Sequence, residues 1–289
     1  MSDNWQHGFY KHGLSERQEL LAQARQLGPV GMAELQANAT DQHDQFIENY
    51  VTDYRLPEGL ALNLVVNGKN YTVPMATEEP SVVAAVSNGA QRVAKCGGFE
   101  APVNSRCLVG QVVLDKLENP DRAVTDLLMH KAELLQIANA AHPSMQKRGG
   151  GAKDLRIRQV GGFVSIDLLI DVQQAMGANT VNTMAEAVAE SLRQSGYDVL
   201  VAVLSNLADQ SLQTATCTLS LNTLAAPGFT GREVAERIVK LSELAQVDPY
   251  RAATHNKGIM NGIDAAVIAS GNDWRAIESG AHAYAARDG

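Results

Sequence analysis

The sequence predicts an α+β protein in which a compact β-α-β-β-α-β module interrupts a mostly helical larger domain. Between about residues 107 and 205, strand-like apolar runs and amphipathic helical segments follow one another in that order. The flanking segments carry mainly helical periodicity, with one hairpin signal before the module. The chain has 289 residues, 45% of them hydrophobic, which is enough to bury one large or two medium cores.

The segment before the module is expected to contain two helices and a hairpin. Ser15 and Gln18 match a capping box, so a helix is expected to begin at Ser15. Asn67-Gly68 lies between two apolar runs, a pattern typical of a β-hairpin. A second helix is expected over residues 82–95, because a glycine pair follows it. Together these elements form the first part of the large domain, residues 1–106.

Inside the module, residues 107–205, two helices alternate with four strands. The strands are expected at residues 108–114, 155–160, 163–171 and 198–204, and the helices at residues 120–141 and 181–194. This order is the split arrangement of a ferredoxin-like domain. No Gly-x-Gly-x-x-Gly pattern follows a strand and opens a helix, so the module is expected to be non-Rossmann.

The last part of the chain, residues 206–289, is predicted to be helical and to complete the large domain. Thr230 and Glu233 form a capping box ahead of a long amphipathic helix. Two further helical segments carry Lys257 and Asp273.

Composition excludes several classes of function. The net charge of −8 and a sequence pI of about 5.4 speak against a nucleic-acid partner. No apolar run reaches the ~18 residues of a membrane-spanning helix, and the polar N-terminus lacks the core of a signal peptide. A cytoplasmic protein without a membrane partner is therefore expected. The three cysteines are widely spaced and predict free thiols rather than a metal site.

Lys257 stands in a context that suggests chemistry, since an amide and a glycine flank it inside apolar sequence. One interpretation is a surface lysine whose stem covers apolar neighbours. The other is a cation held between Glu79 and Asp273, where it would stabilise an oxyanion forming on a carbonyl. Glu78 and Glu79 precede a helix, so these acids serve either as helix caps or as a proton donor.

The turn at residues 175–179 has small residues just before the second helix of the module. It is either a packing turn or a place where backbone N–H groups approach a phosphate at a helix start.

Four segments in one order resemble the bacterial, class II hydroxymethylglutaryl-coenzyme A (HMG-CoA) reductases. They are Glu78-Glu79-Pro80-Ser81-Val82, Ala175-Met176-Gly177-Ala178-Asn179, Asp248-Pro249-Tyr250-Arg251 through Lys257, and Gly271-Asn272-Asp273-Trp274-Arg275. The resemblance runs from about residue 14 to the end of the chain. It implies reduction of HMG-CoA to mevalonate and free coenzyme A with two equivalents of NADH or NADPH, or the reverse oxidation. It also implies a homodimer, with a higher oligomer left open, and a cofactor-binding small domain.

The resemblance also implies roles for individual residues. Lys257 would stabilise the oxyanion, Glu79 would supply a proton to the mevaldehyde oxygen, and Asp273 would tune both by hydrogen bonding. The positions that match substrate contacts of the family are Ser81, Arg251 and Asn261.

The cofactor side of the resemblance is less regular. Met176, Gly177 and Asn179 match the family's glycine turn, but Gln174 replaces its aspartate, and Asp171 is the nearest upstream acid. His142 stands where strongly NAD-selective members are expected to carry an aspartate. Without an acid there, a ribose phosphate is not repelled, so NADPH is expected to be tolerated alongside NADH.

Length is the largest departure from the family. Its members continue beyond this chain into a mobile helical flap domain whose histidine protonates the departing coenzyme A thiolate. That domain is expected to be absent from this chain, which ends at Ala286-Arg287-Asp288-Gly289. The expectation is therefore a fragment of a working reductase. The alternative is a truncated, inactive homologue that binds coenzyme A thioesters without turnover.

Overall fold

The computed structural model describes residues 3–102 and 106–287, apart from the side chains of Asp3 and Asn4. Outside the described residues lie residues 1, 2, 103–105, 288 and 289. The last two of these belong to the segment Ala286-Arg287-Asp288-Gly289. The chain divides into two compact units, Met1–Pro57 and Glu58–Gly289. In the described residues, helices are mixed with two antiparallel sheets, one of two strands and one of four.

The first unit is helical. Two 3-10 turns, Asp3–Gln6 and Phe9–Lys11, precede helices α1 (Leu14–Arg25), α2 (Pro29–Ala37) and α3 (Asp41–Asp44). The capping box expected at Ser15 is wrong, because α1 begins at Leu14. Its N-cap is Gly13, which has no side chain to cap the helix. Gln18 does not reach back to the helix start. It is buried, and its amide donates to the carbonyls of Leu35 at 3.3 Å and Val51 at 2.8 Å.

The second unit opens with the expected hairpin, made of β1 (Glu58–Val66) and β2 (Lys69–Ala76). Asn67 and Gly68 have φ angles of 49° and 74°, as a two-residue type I′ turn requires. The expected helix follows as α4 (Val82–Ala94) and packs on β1. A small apolar core joins these elements to a later helix through the buried residues Ala61, Met75, Val82 and Ala265.

The module has the expected order of elements. Its bounds are β3 (Cys107–Asp115), α5 (Pro120–Met129), α6 (Lys131–Ala141), α7 (Pro143–Lys147), β4 (Gly151–Val160), β5 (Phe163–Asp171), α8 (Ala178–Gln194) and β6 (Asp198–Ser205). The strands form one sheet in the order β4-β5-β3-β6, and every neighbouring pair is antiparallel. One face of this sheet packs on α5, α6 and α8 over the largest apolar core of the described residues.

The continuous helix expected at residues 120–141 is wrong, because His130 interrupts it. The carbonyl of Asp126 accepts the backbone N–H of His130 at 3.2 Å and lies 2.7 Å from its ring Nδ1. His130 adopts φ −94° and ψ 9° and is both the C-cap of α5 and the N-cap of α6.

The open face of the four-stranded sheet carries a buried carboxylate. Asp167 on β5 has no exposed surface. Arg158 Nε and Arg156 Nε donate to its Oδ2 at 2.6 and 2.9 Å, and Ser165 Oγ donates to Oδ1 at 2.7 Å. Burial alone would raise the pKa of Asp167, but hydrogen bonds from Arg158, Ser165, Arg156 and Gln111 bring it down to about 2.

The rest of the chain is largely helical, as expected, although residues 206–220 form no helix. Its helices are α9 (Leu221–Leu224), α10 (Gly231–Val247), α11 (Pro249–Ala269) and α12 (Trp274–Ala285). The capping box at the start of α10 is confirmed, since Thr230 Oγ1 accepts from Glu233 N–H and Glu233 Oε2 accepts from Thr230 N–H. Among the described residues, no helix combines the length and apolar character of a membrane span.

Candidate active site

Lys257 and Glu79 are brought together from opposite ends of the second unit. Lys257 lies on α11, and Glu79 lies in the turn between β2 and α4. The Lys257 ammonium forms a hydrogen-bonded ion pair with Glu79 Oε2. The side chains are 59% and 43% exposed, so the pair faces solvent rather than the core. Lys257 is therefore neither a buried cation nor an unpaired surface lysine.

Local structure holds Glu79 in place. The backbone N–H of Glu79 donates to Thr77 Oγ1 at 3.2 Å, which closes a tight turn after β2. Ser81, the N-cap of α4, has φ 75° in the left-handed region, a conformation that costs a non-glycine residue about 1–3 kcal/mol. A strained residue two positions from Glu79 is the kind of outlier that clusters at functional sites.

Helix α11, which carries Lys257, is packed against several other elements. It packs on β2, α4 and α10, and buries Met260 and Ala265. Asp248 caps its first turn by accepting Tyr250 N–H at 3.1 Å. Arg251 and Asn261 lie on the same helix and are half-buried. Arg251 Nε is enclosed without a hydrogen-bond partner among the described residues, which leaves a donor for an anionic group.

Asp273 is placed differently from the expectation. It is the N-cap of α12, and its Oδ1 accepts Arg275 N–H at 3.1 Å and Ala276 N–H at 3.2 Å. It also lies 3.2 Å from the Arg275 guanidinium. No ion pair joins Asp273 to Lys257 in the described part of the chain. Lys257 was expected to lie between Glu79 and Asp273, but among the described residues it pairs with Glu79 alone.

Asp273 instead faces a cleft of about 380 Å³ that it shares with Met176. The wall of the cleft is mostly apolar, and its other lining residues include Leu108, Leu204, Val267, Ile277, Asn206 and Asn272. An apolar cleft with a few polar groups is the usual form of a small-molecule site.

The turn before α8 lies at one edge of this cleft. Gly177 caps α8 at φ 91°, and a Cβ at this position would lie 2.7 Å from Val172 Cγ1. Only glycine fits, so the backbone approaches its neighbours more closely here than a side chain would permit. Met176 is 66% exposed and Asn179 is exposed in the first turn of α8.

The other two cofactor candidates lie around this turn. His142 ends α6, and its Nε2 is 3.5 Å from Thr180 Oγ1 in α8, while its Nδ1 is 3.2 Å from Ser144 Oγ. Asp171 ends β5 and accepts the backbone N–H and the side-chain amide of Gln173, both at 2.8 Å. His142 therefore adjoins the start of α8, and Asp171 shapes the loop that leads to it.

Two acids that no sequence motif singles out lie on the last two long helices, Asp264 on α11 and Glu278 on α12. Asp264 Oδ1 is enclosed and has no hydrogen-bond partner among the described residues. Burial raises the pKa of Asp264 to about 6, and Glu278 acts in the same direction. The sequence signal for Asp264 is an acid inside the apolar run Gly262-Ile263-Asp264-Ala265.

The chain resembles known reductases along nearly its whole length. The family model described as hydroxymethylglutaryl-coenzyme A reductase matches residues 13–288. The 3-hydroxy-3-methylglutaryl-coenzyme A reductase of Archaeoglobus fulgidus is 42% identical over 289 residues, covering 98% of this chain and 65% of the relative. The probable reductase of Borreliella burgdorferi is 32% identical, covering 84% of this chain and 56% of the relative. The chain thus spans less than two thirds of the length of these curated relatives.

A solved structure is also similar. It is the class II 3-hydroxy-3-methylglutaryl-CoA reductase of Streptococcus pneumoniae bound to NADPH in open conformations. The TM-score is 0.83 at 48% sequence identity, and the match covers 98% of this chain and 79% of that one.

Proposed function

This chain belongs to the hydroxymethylglutaryl-coenzyme A reductase family, and we propose that the full-length protein reduces HMG-CoA to mevalonate and coenzyme A. The reaction consumes two equivalents of NADPH or NADH and runs in reverse as an oxidation. The observation that carries the proposal is the contact between Lys257 and Glu79, two residues 178 positions apart in the chain. It joins a cation and a carboxyl group, the two functions that carbonyl reduction requires.

Substrate and cofactor are assigned to different parts of the fold. Residues 1–106 and 206–289 form the substrate-binding large domain, and residues 107–205 form an inserted, ferredoxin-like and non-Rossmann cofactor domain. The antiparallel strand order β4-β5-β3-β6 and the β-α-β-β-α-β sequence of elements support this assignment. The cleft that Met176 and Ala178 of the module share with Val267 of α11 and Ile277 of α12 is proposed to hold the nicotinamide.

The chain's own residues act at the carbonyl oxygen. NADPH or NADH supplies the hydride when bound. As hydride adds to the thioester carbon, the Lys257 ammonium donates a hydrogen bond to the developing O⁻. Collapse of that intermediate breaks the C–S bond and releases coenzyme A as a thiolate, leaving mevaldehyde. Glu79 would then take up a proton from solvent. When a second hydride adds to the aldehyde, Glu79 gives this proton to the oxygen and the product is an alcohol.

The remaining site residues bind and orient. Arg251, with its unpaired buried Nε, and Ser81 and Asn261 hold the substrate near Lys257. Asp273 is proposed to tune Lys257 and Glu79 by hydrogen bonding, which requires a rearrangement of the start of α12, where it now binds backbone N–H groups and Arg275. On the other side of the cleft, Met176, Gly177 and Asn179 with His142 and Asp171 hold the cofactor. The close backbone approach at Gly177 and the exposed Met176 fit a nicotinamide dinucleotide.

His142 gives a testable rule for cofactor choice. We expect the protein to oxidise both NADPH and NADH, and His142→Asp to lower kcat/KM for NADPH relative to NADH by about tenfold, through repulsion of the ribose phosphate. The control is His142→Asn, which removes the imidazole without adding charge and should leave the ratio near that of the wild type. An unchanged ratio in His142→Asp would place the ribose elsewhere.

The assembly is proposed to be a homodimer, or a higher oligomer built from it, in the cytoplasm. Apolar side chains on the hairpin of the second unit, such as Leu60, Leu62 and Tyr71, are about half exposed, as in surfaces that are covered on association. The three cysteines are free thiols, which suits a reducing compartment.

The assay for the function uses the full-length protein with NADPH and HMG-CoA. We expect loss of the reduced-nicotinamide absorbance only when HMG-CoA is present, with mevalonate and coenzyme A as products. Acetyl-CoA in place of HMG-CoA is the matched control and should give no loss. Binding of HMG-CoA without any turnover would overturn the proposal in favour of an inactive homologue that binds coenzyme A thioesters.

A further inference from the structure

Helix α12 comes very close to the loop after β6 at Gly280. A Cβ built on Gly280 would lie 2.6 Å from the carbonyl oxygen of Asn206. Ordinary van der Waals contact begins at 3.4 Å, so any side chain here would force the helix and the loop apart by several tenths of an ångström. Gly280 lies inside the helix and does not have a positive φ. Close approach, rather than an unusual backbone conformation, is therefore what requires glycine at this position.

The carbonyl of Asn206 is held in place by the structure of its loop. The same oxygen accepts the backbone N–H of Ala208 at 3.0 Å. Two residues further on, the carbonyl of Gln210 accepts the backbone N–H of Cys107 on β3 at 3.2 Å, which fastens the loop to the four-stranded sheet. The loop therefore resists movement, and a side chain in place of the glycine hydrogen would displace α12 instead.

This contact borders the cleft that the module shares with α12. Asn206 lines the cleft, and so do Ala276 and Ile277 of α12. These two residues precede Gly280 by four and three positions, and side chains at those spacings share one face of a helix. The face of α12 that forms a wall of the cleft is therefore the face that Gly280 seats on the loop.

We propose that the contact of Gly280 with Asn206 sets the width of this cleft, and with it how tightly the nicotinamide end of the cofactor is held. Gly280 is then a positioning residue, which acts through Ala276 and Ile277 and touches neither substrate nor cofactor. A ring held between two walls loses dispersion contacts when one wall recedes by a fraction of an ångström. The effect on the cofactor rests on the function proposed above, whereas the seating of α12 does not.

The test measures the Kd of NADPH by isothermal titration calorimetry on the full-length protein. We expect Gly280→Ala to raise this Kd about tenfold, which corresponds to about 1.4 kcal/mol of binding free energy. KM for NADPH should rise with it, while KM for HMG-CoA stays within about twofold of wild type. Ala283→Ser adds one heavy atom at an exposed position of the same helix and should bind NADPH as wild type does.

Urea denaturation separates the overlap from helix propensity. Alanine is a better helix former than glycine, so a helical Gly→Ala change in open space stabilises the protein. Gly89 in α4 is such a position, since a Cβ built there meets nothing within 4 Å in the described part of the chain. We expect Gly89→Ala to raise the urea midpoint and Gly280→Ala to lower it. A rise in both variants would overturn the seating of α12.

A double variant tests whether the width of the cleft is what matters. Ala276→Val adds two carbons to the wall and should weaken NADPH binding by crowding. In the Gly280→Ala background the same addition refills the receded wall, so the double variant should bind NADPH more tightly than Gly280→Ala alone. Additive losses, or an unchanged Kd in Gly280→Ala, would overturn the proposal.

Two further outcomes are distinct. A Gly280→Ala protein without a cooperative urea transition would overturn the proposal, because the contact would then hold the fold rather than the width of the cleft. If NADPH binding changes as expected but HMG-CoA is not turned over, the reductase function is refuted and the role of Gly280 is supported.

Discussion

Replacing Lys257 by alanine is expected to lower kcat for HMG-CoA reduction by at least about 10²–10³-fold, the usual effect of removing one donor that stabilises an oxyanion. The protein should remain folded, because the Lys257 side chain is 59% exposed and its ion pair with Glu79 faces solvent. Exposed ion pairs contribute at most about 1 kcal/mol to stability. The measurement is steady-state kcat and KM beside a thermal melt of each variant.

Lys240 supplies the matched control, since it is an exposed lysine on α10, the helix that packs beside α11. Lys240→Ala removes the same charge and should retain kcat within about twofold, as surface substitutions away from special features do. Lys257→Arg keeps the charge but not the compact ammonium, and should remain strongly impaired. Full activity in Lys257→Ala would show that the oxyanion is stabilised by another group.

Replacing Asp167 by alanine is expected to have the largest effect on stability, a loss of about 3–5 kcal/mol of unfolding free energy. Asp167 is fully buried and is the shared acceptor of Arg156, Arg158, Ser165 and Gln111. Its loss leaves two guanidinium groups and two other donors without their common partner in the centre of the sheet. Urea denaturation followed by circular dichroism measures the change.

Asp209 provides the comparison for Asp167. It pairs with Arg156 at 3.2 Å from the loop after β6 and is partly exposed. Asp209→Ala should cost no more than about 1 kcal/mol, the range of an exposed pair. Equal losses in the two variants would mean that the burial of Asp167 is not what makes its network important.

The pKa of Asp167 also predicts how acid affects the protein. Because its pKa is about 2 in the folded protein and the ordinary aspartate pKa is 3.8, its contribution to stability is complete above about pH 4 and is lost as the pH falls towards 2. Asp167→Asn should therefore show a weaker fall in unfolding free energy over this interval than wild type. An identical fall in both would assign acid unfolding to other carboxylates.

Elements with strong local signals were predictable from the sequence. A type I′ turn requires positive φ at both central residues, and Asn and Gly adopt positive φ readily. Asn67-Gly68 therefore favours a type I′ hairpin. The capping box of Thr230 and Glu233 is equally local, since both partners lie within one helical turn. In the module, apolar strand-like runs and helical spacing predict the order of its strands and helices.

Elements that depend on distant partners were not predictable. Gln18 matches a capping box in sequence, but in the structure its side-chain amide donates to the backbone carbonyls of Leu35 and Val51 instead. The break at His130 arises from a side chain that lies against a carbonyl of its own helix, which periodicity does not reveal. In both cases, apolar spacing gives the helix and a specific hydrogen bond decides its boundary.

In the candidate site, too, some contacts were predictable from the sequence and others were not. The pairing of Lys257 with Glu79 follows from their chemistry and from the resemblance, and the structure brings them into contact. The placement of Asp273 differs because a carboxylate at a helix start is drawn to the free backbone N–H groups there. Asp264 and Glu278 carry no motif, and the raised pKa of Asp264 arises from burial and from Glu278 on the neighbouring helix.

The most direct test of the account is to follow the hydride itself. The full-length protein would be given HMG-CoA and NADPH carrying deuterium at the transferable position of nicotinamide C4, and the mevalonate would be analysed by mass spectrometry. The account predicts mevalonate with both hydrogens at C5 replaced by deuterium in wild type, and almost no product from Lys257→Ala. Mevalonate without deuterium, or labelled mevalonate formed equally fast by Lys257→Ala, would contradict it.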